Sequence, residues 1–407
     1  MHGAGGFSCP YPMLLPRMIA MPGDFCMTSE ERREARYQRR RAKREAKRKA
    51  LEEKYSFERV ISIDSLLAAE KEARKGVRWK ASVQRYHMRS LSNAYKTHME
   101  LLSGGDPRRG FYHFDICERG KARHIMSVKF YERVVQKSLC TNALYPLLTR
   151  PLLYDNGASQ KGKGTHFSLR RLVVHLRRHI HRHGRDGGIL LIDYKDFFGS
   201  ASHEVIREMF ERLLRDERLF NLAWLFVDAF GDRGLGLGSE VSQAVAVSMT
   251  EPIDRYVKQE LKIKGYARYM DDSYLIHEDI AYLEYCLEDL TKLCESYGIT
   301  INRKKTHVRD LKHGFTYLKT RFFITESGHI IKKPCQDSIT RERRKLKRQA
   351  RLVKDGRMTL EQVSTSYQSW RGALVHRDSF YTIMSMDGLF TRLYGAKPEI
   401  ARRKNYG

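Results

Sequence analysis

The stretch Gly265-Tyr-Ala-Arg-Tyr-Met-Asp-Asp-Ser-Tyr-Leu-Ile276 sets two adjacent acids, Asp271 and Asp272, at the turn of an otherwise apolar hairpin. Charged side chains are rarely placed beside buried strands unless a partner compensates them, and a divalent cation is such a partner. Taken alone, a paired Asp-Asp also fits a solvated turn. A second segment weighs against that reading. Gly188-Ile-Leu-Leu-Ile-Asp193-Tyr-Lys-Asp196-Phe-Phe198 reads as a short apolar strand that delivers a carboxylate at its end.

Asp193 and Asp271 can then meet on neighbouring strands and hold two Mg²⁺ ions, which take oxygen ligands and keep positions open for phosphate. Two metals held close together stabilise both the attacking and the leaving oxygen of an in-line phosphoryl displacement. That is the chemistry of a nucleotide polymerase.

A chain of 407 residues is too long for one small core and suggests two or three subdomains. Lys and Arg number 76 against 48 Asp and Glu, a net charge of +28, which implies a polyanionic partner. No apolar stretch approaches the ~20 residues of a spanning helix, so nucleic acid is favoured over a membrane. The seven cysteines are scattered without a CxxC pair, which suggests reduced thiols and a cytoplasmic protein. Residues 1–27 are expected to form a flexible tail; Pro16 and Arg17 interrupt its apolar run and argue against a signal peptide.

Thr28-Ser-Glu-Glu31 resembles a capping box, and it opens a helical run dense in bases, among them Arg39, Arg40, Arg41, Lys43 and Arg44. So many like charges suit an RNA-binding arm; the alternative is a solvated charged helix. Residues 28–107 are read together as a basic helical extension that binds RNA, ending at Gly104-Gly105-Asp106-Pro107. Phe111–Ile116 and Arg123–Val128 then read as a β-hairpin with Arg119, Lys121 and Arg123 at its tip. Such a tip can fold over a triphosphate, or it can be ordinary surface charge.

A helix is expected from Glu132 to about Leu148, and another from Phe167 to His183. Between them Asn156-Gly-Ala-Ser-Gln-Lys161-Gly-Lys163-Gly offers backbone amides and two cations to phosphate, but it lacks the Walker spacing of an independent ATPase site. His175, His179, His181 and His183 fit either a metal site or, more simply, a basic helix end lying on nucleic acid.

Three later segments extend the pattern. Gly236-Leu237-Gly238-Ser239-Glu240-Val241-Ser242-Gln243 leads into an expected helix from Ala244 to Leu261, Asn302-Arg-Lys304-Lys305-Thr306 follows a helix from Ala281 to Tyr297, and Gly314–Ile324 has the shape of an aromatic hairpin. In this order the segments resemble the palm motifs of reverse transcriptases, over about residues 108–330. The resemblance implies an α/β (α+β) right-hand polymerase with fingers and palm at 108–330 and a helical basic thumb at 331–407. It implies Asp193, Asp271 and Asp272 as catalytic acids, with the Tyr194 carbonyl as a further metal ligand and Mn²⁺ as an alternative to the two Mg²⁺. Phe198 falls where the family keeps an aromatic gate against the ribose 2′-hydroxyl, so dNTPs are the expected substrates. Lys305 resembles the family's lysine near the departing pyrophosphate, with Lys304 a competitor. Gly238 and Gln243 are expected at the nucleotide. Lys161, Lys163, Tyr317, Lys319 and Trp370 are expected on nucleic acid, although a Trp in a helical subdomain is more often core.

Most reverse transcriptases carry QGxxxSP where this chain has Leu237-Gly-Ser-Glu-Val-Ser-Gln243. The replacement resembles the [ILV]GxxxSQ form of diversity-generating retroelement enzymes, in which loss of the Gln is associated with error-prone copying; defence-associated bacterial enzymes also vary here. A retron-type VTG and a Cys/His-rich or HNH tail are missing, and the residues after the aromatic hairpin are too few for a thumb plus an RNase H domain. The expected activity is RNA-directed DNA synthesis on a structured or non-coding RNA template, yielding DNA, in a retroelement or phage-defence setting. A small basic or acidic accessory protein is a further expected partner, and the oligomeric state is open. The rival reading is a non-catalytic RNA-binding protein on the same scaffold, against which the complete set of three acids argues.

Overall fold

The structure, a computed structural model, describes residues 28–118 and 120–398, so the expected 1–27 tail lies outside the described residues. The chain divides into two units at Lys54/Tyr55. The first contains α1 (Ser29–Lys54), none of whose residues is buried. Its N-terminus is the expected reciprocal cap: the Glu31 amide donates to the Thr28 hydroxyl at 3.2 Å, and the Thr28 amide donates to the Glu31 carboxylate at 2.7 Å.

The second unit begins with α2 (Phe57–Ile61), α3 (Ile63–Ala73), α4 (Ala81–Met88) and α5 (Ser90–Leu102). Next come the hairpin β1 (Phe111–Glu118) and β2 (Lys121–Val128), then α6 (Phe130–Leu139), which runs through a π-turn at Cys140–Leu144 into α7 (Tyr145–Leu148). Residues 55–107 therefore do not travel with the basic helix. Phe57, Val60 and Ile61 enter the main core beside Leu139, and the Ser138 hydroxyl donates to the Val60 carbonyl at 2.6 Å. That burial is what moves the division from the expected position near 107 to 54.

The palm follows as α8 (Thr165–His183), β3 (Gly188–Lys195), α9 (His203–Leu213), α10 (Glu217–Asp228), α11 (Glu240–Ser248), α12 (Glu251–Gln259), β4 (Gly265–Tyr269), β5 (Asp272–His277) and α13 (Ile280–Ser296). The single helix expected from 244 to 261 is broken at Met249-Thr250. Pro252, which lacks an amide proton, sits in the first turn of α12, where that proton has no helical acceptor.

Strands β6 (Thr300–Ile301) and β7 (His307–Asp310) complete an antiparallel sheet ordered β4-β5-β3, with β7 on the first half of β3 and β6 on its end. Both faces are covered, which explains the continuous apolar run of β3. Ile189 and Leu191 join a cluster with Leu172 and Leu176 of α8, whereas Leu190, Ile192 and Tyr194 join the larger core with α11 to α13. The register pairs Asp193 with Asp272.

A second sheet holds β8 (Phe315–Tyr317), β9 (Thr320–Ile324) and β10 (Ile330–Pro334). The expected thumb thus begins with a strand rather than a helix. It continues as α14 (Gln336–Lys354), α15 (Leu360–Leu374) and α16 (Phe380–Tyr394) around Leu346, Val363, Tyr367, Met386 and Phe390. Asp378, between α15 and α16, is tied back to β10: its carboxylate accepts from the Lys332 amide and its own amide donates to the Lys332 carbonyl, both at 2.7 Å.

One ion pair lies wholly inside the palm. Arg268 of β4 forks onto Asp254 of α12, with Nε donating at 2.7 Å and Nη2 at 2.8 Å, and neither side chain is more than 1% exposed. The same guanidinium donates to the carbonyls of Val247 at 2.9 Å and Met270 at 3.1 Å. Asp254→Ala should therefore cost about 3–5 kcal/mol in chemical denaturation, because it strands a buried charge. Arg268→Lys should recover little, since an ammonium cannot span the fork; near-native stability in either variant would contradict the assignment.

Candidate active site

The register of the apolar strands brings the acids together. Asp193 ends the inner part of β3 opposite Asp272, which opens β5, and Asp271 occupies the two-residue turn that follows Tyr269. Its turn neighbour Met270 takes φ 55°, a left-handed conformation that a long side chain rarely adopts. The Arg268 bond to the Met270 carbonyl holds it there.

Asp193 is fixed by the segment after β6. Its amide donates to the Thr306 hydroxyl at 3.1 Å, its carbonyl accepts from the Asn302 amide at 2.8 Å, and Oδ1 accepts from Asn302 Nδ2 at 2.9 Å. Lys305 Nζ donates to both carboxylate oxygens at 2.7 Å, while Lys304 is exposed. Asn302 and Thr306 are positioning residues that the sequence reading quoted without giving them a role. The spacing Asn-x-x-Lys-Thr around a tight turn was the available signal.

Charge is crowded at this strand end. Burial, followed by the nearby Asp193, raises Asp271 above the ordinary carboxylate range. Burial first, then Asp271 and Asp193, pushes Asp272 up to about 7, with Lys305 and Lys319 opposing the shift. Among the described residues no three His, Cys, Asp or Glu side chains close a metal cage by themselves. The donor set is nonetheless all oxygen and short of positive charge, which fits a Mg²⁺-type ion that completes its shell with water and phosphate. The Tyr194 ring is buried and stacked 5.5 Å from Phe197, so only its backbone is available to such an ion.

A cleft of about 670 Å³ opens beside the acids, lined by Arg123, Met126, Phe198, Phe230, Leu237, Asp271 and Lys305 among others. Strand β2 closes on its floor through the Met126 amide, which donates to the Leu237 carbonyl at 3.1 Å. Gly238 takes φ 118°, and a Cβ there would stand 2.8 Å from the Met126 carbonyl oxygen, so a side chain would push the hairpin away. Phe198 is half-buried against the edge of Phe197, and its carbonyl accepts from the Leu235 amide at 2.7 Å. Gln243 is exposed on the otherwise mostly buried α11. Gln136, buried on α6, accepts from the Ser239 hydroxyl at 3.0 Å and the Glu240 amide at 3.2 Å, a brace the sequence gave no local sign of. Arg119 lies outside the described residues, and the side chain of Lys121 is not described.

The expected nucleic-acid contacts divide. Arg39, Arg40, Arg41, Lys43 and Arg44 are exposed on α1, and Lys161 is exposed on its loop. Lys163 is spent locally, donating to the Tyr154 carbonyl at 2.9 Å and the Asn156 carbonyl at 3.0 Å. Tyr317 is corrected: it is 3% exposed, edge-on to Tyr274 at 5.1 Å, and offers no face for a base. Lys319, with φ 59°, sits in the tight turn between β8 and β9 and acts on Asp272. Trp370 stacks 5.8 Å from Tyr367 and donates to the Ser338 hydroxyl at 3.2 Å, packing partly buried against the core of the thumb. His175 and His179 do not form a metal cluster; the first meets the Tyr274 hydroxyl at 2.9 Å and Asp155 at 3.3 Å, and the second the Asp186 carbonyl at 2.7 Å.

The sequence profile of the reverse transcriptase (RNA-dependent DNA polymerase) family matches residues 109–322, more than half of the chain. No curated protein sequence matches. Among solved structures, telomerase from Candida albicans in complex with a TWJ fragment of telomeric RNA is 15% identical over 70% of this chain and 55% of that one, with a TM-score of 0.45. Apo telomerase from Candida tropicalis, truncated from its C-terminal domain, is 12% identical over 55% of each chain, with a TM-score of 0.42. The chain spans about half the length of these telomerase chains.

The raised Asp272 makes a pH prediction. Its folded value of about 7 exceeds the ordinary 3.8, so between these the native state holds a proton that the unfolded chain has released, and stability falls as pH rises through that window. Asp272→Asn should therefore raise the melting temperature in EDTA at pH 8 and flatten its dependence on pH between about 4 and 7. A melting temperature that is unchanged or lower would refute the crowding.

Proposed function

The chain belongs to the reverse transcriptase family, an RNA-directed DNA polymerase, and from that premise we propose that it copies a cognate structured RNA into DNA at Asp193, Asp271 and Asp272 by two-metal nucleotidyl transfer. The observation that carries this reading is the register of Asp193 against Asp272, with Asp271 in the adjoining turn at the cleft. Reverse transcriptases generally use divalent metal ions. Held by these acids and the Tyr194 carbonyl, such ions would neutralise the triphosphate and favour ionisation of the attacking hydroxyl.

The protein's own groups supply the rest. Asn302 holds the Asp193 carboxylate and Thr306 holds the Asp193 backbone, so that the acid need not reorganise during the reaction. Lys305 already delivers an ammonium to that carboxylate and is placed to stabilise charge on departing pyrophosphate. Phe198, in the wall of the cleft, excludes a ribose 2′-hydroxyl and so selects dNTPs. Arg123 draws the triphosphate toward Asp271. The exposed cations of α1 bind the cognate RNA, in the cytoplasm.

Within the family the finer reading is an enzyme of a diversity-generating retroelement or of a phage-defence system, and error-prone copying is the property expected of the first. Leu237 lines the cleft where most relatives present a glutamine, and an apolar side chain there cannot hydrogen-bond to the nascent pair, which weakens discrimination between bases.

Two experiments test the proposal. Asp271→Ala combined with Asp272→Ala should abolish Mg²⁺-dependent primer extension, a loss of at least about a thousandfold if these acids hold the metals, while RNA binding survives; near-native synthesis would overturn the catalytic assignment. Leu237→Gln should lower the misincorporation frequency on a defined RNA template several-fold. Fidelity equal to that of the parent would remove the basis for the error-prone assignment while leaving the polymerase assignment standing.

A further inference from the structure

At the opposite end of the palm strands from the acids lies a second cleft, of about 690 Å³. Strand β3 runs from Gly188, paired with His277, to Asp193, paired with Asp272. Five residues of strand rise separate the two clefts by roughly 17 Å. Helix α8 lends this second cleft Arg178 and Arg182, the turn before β4 lends Lys262 and Lys264, and the end of β5 lends His277 and the adjoining Glu278.

The local chain is built to present these cations. In the turn before β4, Leu261 and Ile263 are buried while Lys262 and Lys264 are exposed, and Lys262 is held at φ 53°. Among the described residues none of Arg178, Arg182, Lys262 and Lys264 has an acid within ion-pair distance. Glu278, the one carboxylate in the lining, is turned to His277 at 3.6 Å and His183 at 3.9 Å. Four unpaired cations around a concavity are not needed for folding, and their mutual repulsion opposes it. An anion entering the cleft would relieve that repulsion.

A row of rings leads out of the same cleft. His277 lies 4.7 Å from Tyr282, and Tyr282 is stacked 5.9 Å from Tyr285 at an interplanar angle of 21°. Tyr282 is locked in place by its hydroxyl, which donates to the Leu261 carbonyl at 3.0 Å. Tyr285 ends the row 59% exposed, with one ring face unpartnered among the described residues. Cations set for phosphate beside an open aromatic face match a single-stranded nucleic acid, whose bases stack on such faces whatever their sequence. An acidic peptide would use the cations but has no need of the ring.

We propose that this cleft is an RNA-anchoring site, separate from the active centre, in which Arg178, Arg182, Lys262 and Lys264 bind the phosphates of a single-stranded segment and Tyr285 stacks on one of its bases. The site holds the RNA on the palm while a different stretch of it is copied.

The test uses the full chain and a fluorescent single-stranded oligo(rA), with affinity followed by anisotropy across a salt series. The triple variant Arg182→Ala, Lys262→Ala, Lys264→Ala should bind about tenfold more weakly, with a salt slope shallower by about two, since each neutralised phosphate of a single strand contributes ~0.7. Tyr285→Ala should weaken binding several-fold at an unchanged slope, and Tyr285→Phe, which keeps the ring face, should bind like the parent. Extension of a short template-primer at saturating concentration should be unaffected in all of them, which separates this site from the polymerase centre. All of the altered residues are exposed, and equal thermal melts verify folding. An unchanged salt slope in the folded triple variant would overturn the site. So would poly-glutamate displacing the RNA from the parent as well as unlabelled RNA does, with Tyr285→Ala silent, because that result describes a surface for acidic protein.

Discussion

The palm depends on a guanidinium that never meets water. Arg268 joins α12, the end of α11 and the turn carrying Asp271, through Asp254, the Val247 carbonyl and the Met270 carbonyl respectively. Burying a charge is costly unless every donor finds an acceptor, and the planar fork of Arg meets that condition where Lys could not. The result is a turn whose strained Met270 is held by the interior of the protein rather than by the turn's own sequence. The position of Asp271 is accordingly set from beneath.

Above that foundation the site holds an imbalance of charge. Three carboxylates converge, and Lys305 answers one of them directly. Burial first, and then the remaining repulsion, raise Asp271 and Asp272. Preorganised groups of this kind are useful because the stability sacrificed in the free protein is recovered when cations and phosphate arrive.

What the sequence disclosed follows from how locally each feature is encoded. β3 and the β4–β5 hairpin were legible because apolar runs ending in acids are contiguous patterns, and the cap at Thr28 because it spans four residues. Arg268 stood in the decisive stretch and was passed over, since its partner Asp254 lies fourteen residues earlier on another element. Tyr317 eludes a sequence reading for a related reason: an aromatic ring suits a base or a core equally well, and only its packing on Tyr274 decides. The division at 54 rather than 107 rests on α2 burying Phe57, Val60 and Ile61 in a core built by distant segments, which composition cannot register.

The strand that opens the thumb has a mechanical consequence. β10 belongs to the same sheet as β8 and β9, whose connecting turn carries Lys319 toward the acids, and Asp378 clamps β10 from the far end of α15. Arg377 adds a bond from its Nε to the Thr320 hydroxyl on β9 at 2.9 Å. The helices beyond are thus mounted on a stiff bracket, so a displacement of theirs is passed as a torque to the hairpin that carries Lys319. Such a linkage would make the three C-terminal helices and the turn beside the acids respond to load as one part.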